Sequence, residues 1–154
     1  MAHIHEKIDF TTSVFVVHEG KVLLHKHKSL GLWLQPGGHI ELNEDPTQAA
    51  LREVREESGL IVELIGSSPS SMFKDGSKGL IVPMYLNRHH ITDAHEHIDF
   101  VYFGRIIGNE VRPEEEGGEI RWFTSEDLDS AEFNLLDAVR SYAHAAIEYF
   151  TTHA

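Results

Sequence analysis

Short runs of β-prone apolar residues predict that much of this chain forms strands. Residues 10–18 (FTTSVFVVH) and 21–26 (KVLLHK) are two such runs, separated by the turn signal of Glu19 and Gly20. Further runs of the same kind occur at residues 60–66, 80–88, 97–108 and 119–123. Tight turns between neighbouring runs, and a polar loop predicted over residues 89–96, indicate a mixed sheet built partly of hairpins.

The first helix is predicted between residues 46 and 58 (PTQAALREVREES). Asp45 is a favourable N-cap, Pro46 suits the first helical position, and Gln48 follows the cap by three residues, as in a capping box. Gly59 then supplies a C-terminal stop. This is the clearest helix start in the sequence.

A second helix is predicted over residues 134–150 (NLLDAVRSYAHAAIEYF), where apolar side chains recur near helical spacing. Residues 125–131 (SEDLDSA) predict a shorter helical turn. The chain has 154 residues, which suits one core. Together these elements predict the α/β (α+β) class, with a mixed β-sheet and two main helices in a single domain over residues 1–154.

The composition restricts the class of partner. A formal net charge of −12 argues against nucleic-acid binding, and an anionic ligand would need local positive charge, for which a metal ion is the obvious source. The chain has no cysteine, which excludes disulfides and thiolate metal sites. No apolar run approaches a membrane span, and the first ten residues lack the apolar core of a signal peptide. We therefore expect a cytoplasmic protein with no membrane partner.

Three carboxylates crowd onto one face of the first predicted helix. Glu53, Glu56 and Glu57 have i, i+3, i+4 spacing and lie near the negative end of the helix dipole. One interpretation is a solvated charged face, neutralised by Arg52 and Arg55. The other is a site for a hard metal ion such as Mg²⁺, which prefers carboxylate oxygens.

The residues before and within this helix decide between the two interpretations. The set comprises Gly38, Glu44, Arg52, Glu53, Val54, Glu56, Glu57, Gly59 and Leu60. Its spacing is similar, at every fixed position, to the 23-residue signature of the Nudix hydrolases, and a chance match is on the order of one in a million or rarer. The flanking segments around Trp33 (WLQPGG) and over residues 119–123 (EIRWF) also resemble that family.

The resemblance implies a fold and an activity. Nudix enzymes have a mixed β-sheet sandwiched between helices, and they hydrolyse a pyrophosphate bond in a nucleoside diphosphate derivative with Mg²⁺ or Mn²⁺. The expected partner is therefore a small nucleotide, of the NTP or dNTP, ADP-ribose or nucleotide-sugar type. The sequence markers of individual subclasses are absent, so the substrate stays open. Many members dimerise, and a homodimer is an expectation that rests on the resemblance alone. The alternative function is a Nudix-fold module that senses a nucleotide without cleaving it.

The resemblance also assigns roles to the matching positions. Glu56 and Glu57, with the main-chain carbonyl of Gly38, would be metal ligands, and Glu53 would be a ligand or the base that deprotonates the attacking water. Arg52 would hold Glu53 in place, and Glu44 would support the loop and the water shell of the metal. Gly37 and Gly38 have no side chains, so the backbone at these positions could come close to the metal and the phosphate.

Four further positions are weaker candidates. Glu116 matches a distal carboxylate that related enzymes place before a Trp-containing strand, with Glu119 as the alternative; a solvated acidic loop is the competing interpretation. Lys26 is a candidate for phosphate binding or simply a solvated strand end. Asn134 either caps the second helix or contacts a base.

The histidines raise a separate possibility. His95 and His97 form an i, i+2 pair that would share one strand face, as would His3 and His5. If brought together, two such pairs could bind zinc. The competing interpretation is that they are ordinary surface or loop residues. Within the motif loop, His39 stands at a variable position.

Overall fold

One mixed sheet forms the centre of the protein in a computed structural model that describes residues 5–68, 72–109 and 119–154. The strands are β1 (Ile8–His18), β2 (Lys21–Lys26), β3 (Trp33–Leu34), β4 (Gly37–His39), β5 (Leu60–Leu64), β6 (Tyr85–Thr92), β7 (His95–Asn109) and β8 (Ile120–Phe123). The helices are α1 (Pro46–Ser58), α2 (Ser125–Asp129) and α3 (Asp137–Thr152).

The two longest strands, β1 and β7, run parallel at the middle of the sheet, in register from Ile8 opposite Glu96 to Val17 opposite Arg105. All other pairings are antiparallel. The order is β3-β2-β1-β7-β5, with β4 beside β1, β6 beside β7 and β8 beside β2. Because β2 and β4 pair with different ends of β1, β4 lies against Thr11, Thr12 and Ser13.

Each face of the sheet is covered by a helix. Val14 and Val16 of β1 pack on one face with Ala50 and Val54 of α1. On the other face, Phe15 joins a core cluster that contains residues of α2 and α3. Because successive side chains of β1 point to opposite faces of the sheet, its buried residues contribute to two separate cores. The predicted mixed sheet between helices is confirmed.

The boundaries of α1 follow the predicted local signals. The side chain of Asp45 accepts a hydrogen bond from the Gln48 N–H, and the Gln48 side chain accepts one from the Asp45 N–H, which completes the capping box. Pro46 stands at the first helical position, and Gly59 closes the helix with a left-handed φ of 72°. Such caps contribute on the order of 1 kcal/mol each.

Two segments of the sheet differ from the sequence prediction. Residues 80–84 are not strand, because Pro83 has no N–H to continue a ladder, and the strand begins at Tyr85. Residues 89–96, predicted as a loop, mostly extend β6 and β7, with a turn only at residues 93–94. Polar side chains suit β6 because this edge strand is largely exposed.

None of the helices in the described ranges has the length and apolar character needed to cross a membrane.

Candidate active site

Arg52 is the hub of the predicted motif. Its Nε and Nη2 donate to the two carboxylate oxygens of Glu44 at 3.0 and 2.6 Å, while Nη1 donates to Glu53 Oε1 at 2.8 Å. Nη2 also donates to the main-chain oxygen of His39 at 3.1 Å. These bonds lower the pKa of Glu44 and raise that of Arg52. One guanidinium thus ties together the loop, the helix and strand β4, as a planar fork with five donors can.

Glu53 is the most buried of the three clustered glutamates, with 9% of its surface exposed. Burial raises its pKa to about 7, against the lowering effect of the Arg52 hydrogen bond. The neighbouring Glu57 carboxyl contributes to this rise in the pKa of Glu53, because two carboxylates so close together disfavour ionisation of both. Glu53 fits where it does because Gly38 has no side chain: a Cβ there would overlap Glu53 Oε1.

Glu57 has two partners on neighbouring strands. His25 of β2 places its Nε2 2.7 Å from Glu57 Oε2, and the Gly37 N–H donates to Glu57 Oε1 at 3.3 Å. Glu56 is more exposed and lies 3.3 Å from Arg52 Nη1. The sheet thus fixes the orientation of Glu57, whereas Glu56 points toward solvent.

His25 was not predicted from the sequence as a residue of the site. The available signal was strand alternation: Leu23 packs in the core cluster beside α1, and His25 is two residues further along the same strand. Pairing of β1 with both β2 and β4 then brings His25 to the motif helix.

This donor set fits a hard divalent cation. It consists of three carboxylates at helical spacing beside the glycine-bearing strand β4, all of them oxygen ligands. The repulsion between Glu53 and Glu57, which contributes to the raised pKa of Glu53, marks a place where negative charge is crowded and a cation would be favoured. The residues present therefore match Mg²⁺ or Mn²⁺ better than a thiolate- or imidazole-binding ion.

A cleft of about 940 Å³ opens beside these carboxylates. Glu56, Glu57, Gly37 and Gly38 line one part of it, together with Lys26. Its remaining walls carry polar side chains from β1, β6 and β7 and apolar side chains at the start of α3. The dimensions suit a small-molecule ligand.

The weaker candidates are placed unequally. The main-chain oxygen of Glu119 accepts a hydrogen bond from the Lys26 N–H at 2.8 Å, so the exposed Glu119 enters the sheet beside the cleft. Glu116 lies outside the described residues. Asn134, with a φ of 46°, does not cap the helix: α3 begins at Asp137 after Leu136, which makes no side-chain cap. Asn134 is also not among the described residues that line the cleft.

Replacing His25 by glutamine tests its support of Glu57. We expect the Mg²⁺ concentration for half-maximal activity to rise about 10- to 100-fold, because residues that orient metal ligands have effects of this size. The measurement is a metal titration of the turnover rate. His18→Gln, at an exposed position on β1, is the matched control. An unchanged titration would show that the 2.7 Å contact has no role in metal binding.

Comparisons with known proteins agree with these observations. Residues 8–144 match the sequence model of the NUDIX domain. The crystal structure of a NUDIX-family hydrolase from Clostridium perfringens is 37% identical, with a TM-score of 0.81, covering 92% of this chain and 97% of that one. The CTP pyrophosphohydrolase of Escherichia coli (strain K12) is 32% identical over 100 residues, 58% of this chain and 71% of that protein.

Other curated relatives are longer than the matched segment. The m7GpppN-mRNA hydrolase NUDT17 of Xenopus laevis is 32% identical over 91 residues, which is 55% of this chain and 31% of that protein. The probable DHNTP pyrophosphohydrolase of Lactococcus lactis subsp. cremoris is 30% identical over 99 residues, or 64% and 55%. The match therefore covers from just under a third to a little over half of the length of these two relatives.

Proposed function

Because the chain belongs to the NUDIX family, we propose that it is a metal-dependent enzyme that cleaves a pyrophosphate bond in a nucleoside diphosphate derivative, with Glu53 as the base. The observation that carries the proposal is the buried Glu53 carboxyl, fixed by Arg52 and beside Glu57. In the metal-free protein this carboxyl has a pKa of about 7, so it can take up a proton near neutral pH.

Glu53, Glu56, Glu57 and the Gly38 carbonyl would hold the Mg²⁺ or Mn²⁺ ion. When bound, such an ion neutralises charge on the pyrophosphate and makes a coordinated water more acidic. The intact carboxylate set favours catalysis over nucleotide sensing alone, because sensing does not require all three.

The side chains of the site have separate tasks in this scheme. Glu53 accepts the proton of the attacking water at its carboxylate, and Arg52 prevents that carboxylate from rotating away. Glu44 keeps Arg52 in position through two hydrogen bonds. Lys26 binds a phosphate group at the mouth of the cleft, and Glu116 or Glu119 supplies a distal carboxylate. The glycines of β4 leave room for the phosphate to approach the backbone.

The substrate class follows from the cleft and the relatives. The polar and apolar walls can accept a nucleoside next to the carboxylates. One relative is named as a CTP pyrophosphohydrolase, which supports a nucleoside triphosphate within the broader set of NTP, ADP-ribose and nucleotide-sugar compounds. The enzyme would act as a monomer or as a homodimer, in the cytoplasm.

A substrate panel tests the proposal. NTPs, dNTPs, ADP-ribose and nucleotide sugars are incubated with the protein and Mg²⁺ in ¹⁸O-labelled water, and the products are weighed by mass spectrometry. We expect cleavage of one P–O–P linkage with a single ¹⁸O in one phosphate product. Removing divalent ions with a chelator should reduce the rate by about 100-fold or more, and adding Mg²⁺ should restore it.

The same panel separates the enzyme from a sensor. Tight nucleotide binding in a calorimeter with no hydrolysis over hours would contradict the enzymatic proposal and support the sensing module. Turnover that survives complete chelation would contradict the metal requirement.

A further inference from the structure

We propose that Asp9, His95 and His97, with His39 as a fourth ligand, form a binding site for a transition-metal ion such as Zn²⁺, separate from the glutamates of α1. Asp9, His95 and His97 each offer one ligand atom, and these atoms lie within 4.8 Å of one another. The His39 and His97 rings are adjacent, with their centroids 4.9 Å apart. The group lies where β1, β4 and β7 meet, and two of its residues, His39 and His97, line the same cleft as Glu56 and Glu57.

The distances suit a tetrahedral ion. His39 Nε2 and His95 Nε2 lie 3.3 and 3.2 Å from the same oxygen of Asp9, Oδ2. A tetrahedral Zn²⁺ with bonds of 2.0–2.1 Å separates its ligand atoms by about 3.3 Å. Two of the separations therefore already match those around a bound ion, and the ligand atom of His97 lies within 4.8 Å of those of Asp9 and His95.

Hydrogen bonding fixes the ligand atoms in the orientation that a metal site needs. The Asp9 carboxylate uses its other oxygen, Oδ1, to accept from the His5 N–H at 2.8 Å, so Oδ2 is directed at the imidazoles. His95 Nδ1 lies 3.1 Å from the main-chain oxygen of Glu6, which can only accept, so Nδ1 carries a proton. In the neutral ring, Nε2 then presents its lone pair to Asp9. Metal-binding histidines characteristically donate their second ring nitrogen to a carbonyl in this way.

Burial adds a reason for a cation at this point. Asp9 is 1% exposed and His95 is 6% exposed. A buried carboxylate facing the lone pair of an imidazole requires either a proton or a metal ion between them. Imidazole nitrogen is a good ligand for Zn²⁺, Cu²⁺ or Ni²⁺ and a poor one for Mg²⁺, so this group selects a different ion from the glutamate set.

The ion would stabilise the arrangement of three strands. It would join the beginnings of β1 and β7, which pair in parallel, to the end of β4. His39 directly follows Gly38, and its main-chain oxygen accepts from Arg52 at 3.1 Å. Occupancy would therefore fix the strand against which Glu53 is packed.

The test uses untagged protein, purified without nickel resin and stripped with a chelator. A Glu56→Gln/Glu57→Gln double variant removes most of the carboxylate site and leaves the histidine group untouched. We expect this variant to bind one equivalent of Zn²⁺ in a calorimeter, and to give the visible absorption of four-coordinate Co²⁺. Zn²⁺, unlike Mg²⁺, should also raise its Tm. Absence of a stoichiometric Zn²⁺ site in this folded variant would overturn the proposal, and would mean that a proton joins His95 to Asp9.

Single substitutions then locate the site. His97→Gln should weaken Zn²⁺ binding by more than about 100-fold, which exceeds the effect expected of a residue that only supports a ligand. His90→Gln is the matched control, because His90 lines the cleft on β6 but its side chain is 74% exposed. Full Zn²⁺ affinity in a folded His97→Gln variant, or equal losses in both variants, would contradict the assignment.

Discussion

In the Glu53→Gln variant, turnover is expected to fall roughly 1,000-fold, while the metal-free protein becomes more stable at alkaline pH. The loss of activity follows because glutamine cannot accept a proton from water and is a weaker ligand for a divalent ion. The side chain keeps its size and can still accept a hydrogen bond from Arg52, so the fold should be unchanged. Steady-state kinetics on the best substrate of the panel measure the first effect.

The gain in stability comes from the raised pKa of Glu53. Its usual value of 4.5 applies in the unfolded chain, and its value of about 7 applies in the folded one. The stabilising contribution of the bound proton is fully present below pH 4.5 and is lost as the pH rises through 7. Above pH 7 the folded wild type must ionise a buried carboxyl, and glutamine removes that cost. The shift corresponds to at most about 3 kcal/mol, and partial solvent screening reduces this to about 1–2 kcal/mol.

Urea unfolding in the presence of a chelator measures the second effect. Glu53→Gln should exceed wild type in unfolding free energy at pH 8.5, and the difference should shrink toward pH 5. Glu148→Gln, at an exposed position on α3, should change neither activity nor stability. A Glu53→Gln protein that loses stability at pH 8.5, or that keeps a tenth of its activity, would contradict the assignment of Glu53 as a buried base.

Alanine should have different effects at the two adjacent glycines of β4: it should lower stability at Gly37 and activity at Gly38. At Gly37 a Cβ would overlap the Thr12 main-chain oxygen and lie 3.1 Å from Ser13 Cα. These are backbone atoms of the paired strand β1 and cannot move aside, so we expect Gly37→Ala to lose about 3 kcal/mol of unfolding free energy. At Gly38 the obstacle is the Glu53 carboxyl, with Cδ at 2.6 Å, which is a side chain that can rotate.

Gly38→Ala should therefore fold and lose activity. Displacing Glu53 breaks its alignment with Arg52, and a misplaced base loses about 100-fold or more in rate. Thermal unfolding and kinetics on both variants make the comparison. Gly108→Ala is the control, because its Cβ would meet Ile61 at an ordinary 3.7 Å. Equal stability of the two β4 variants would contradict the close pairing of β4 with β1.

The features that could be predicted are those that depend on residues close together in the sequence. The capping box, Pro46 and Gly59 fix α1 from residues within 15 positions of one another, so the helix boundaries could be predicted. The spacing of the motif, through its resemblance to the Nudix signature, also predicted that Glu44, Arg52 and Glu53 belong to one site. The two faces of the sheet follow from the alternation along β1, where Val14 and Phe15 enter different cores.

What could not be predicted depends on strand pairing between distant residues. The contact of His25 with Glu57 requires β2 and β4 to share an edge of β1. The approach of Asp9 to His95 requires the parallel register of β1 and β7, which no local pattern specifies. The i, i+2 pairing of His95 and His97 was visible in the sequence, but their carboxylate partner was not.

The parallel pairing of β1 with β7 also has a consequence for how the protein is made. The hydrogen bond from Thr11 to Asp99 joins residues 88 positions apart, so the central pair can form only after most of the chain has left the ribosome. Closing so long a loop is slow compared with forming α1 and its caps. The local contacts of α1 can therefore begin to form in the nascent chain before the cleft does, although a helix of this length is marginal until it packs on the sheet. Hydrolytic activity should appear during refolding only with the last, slowest phase.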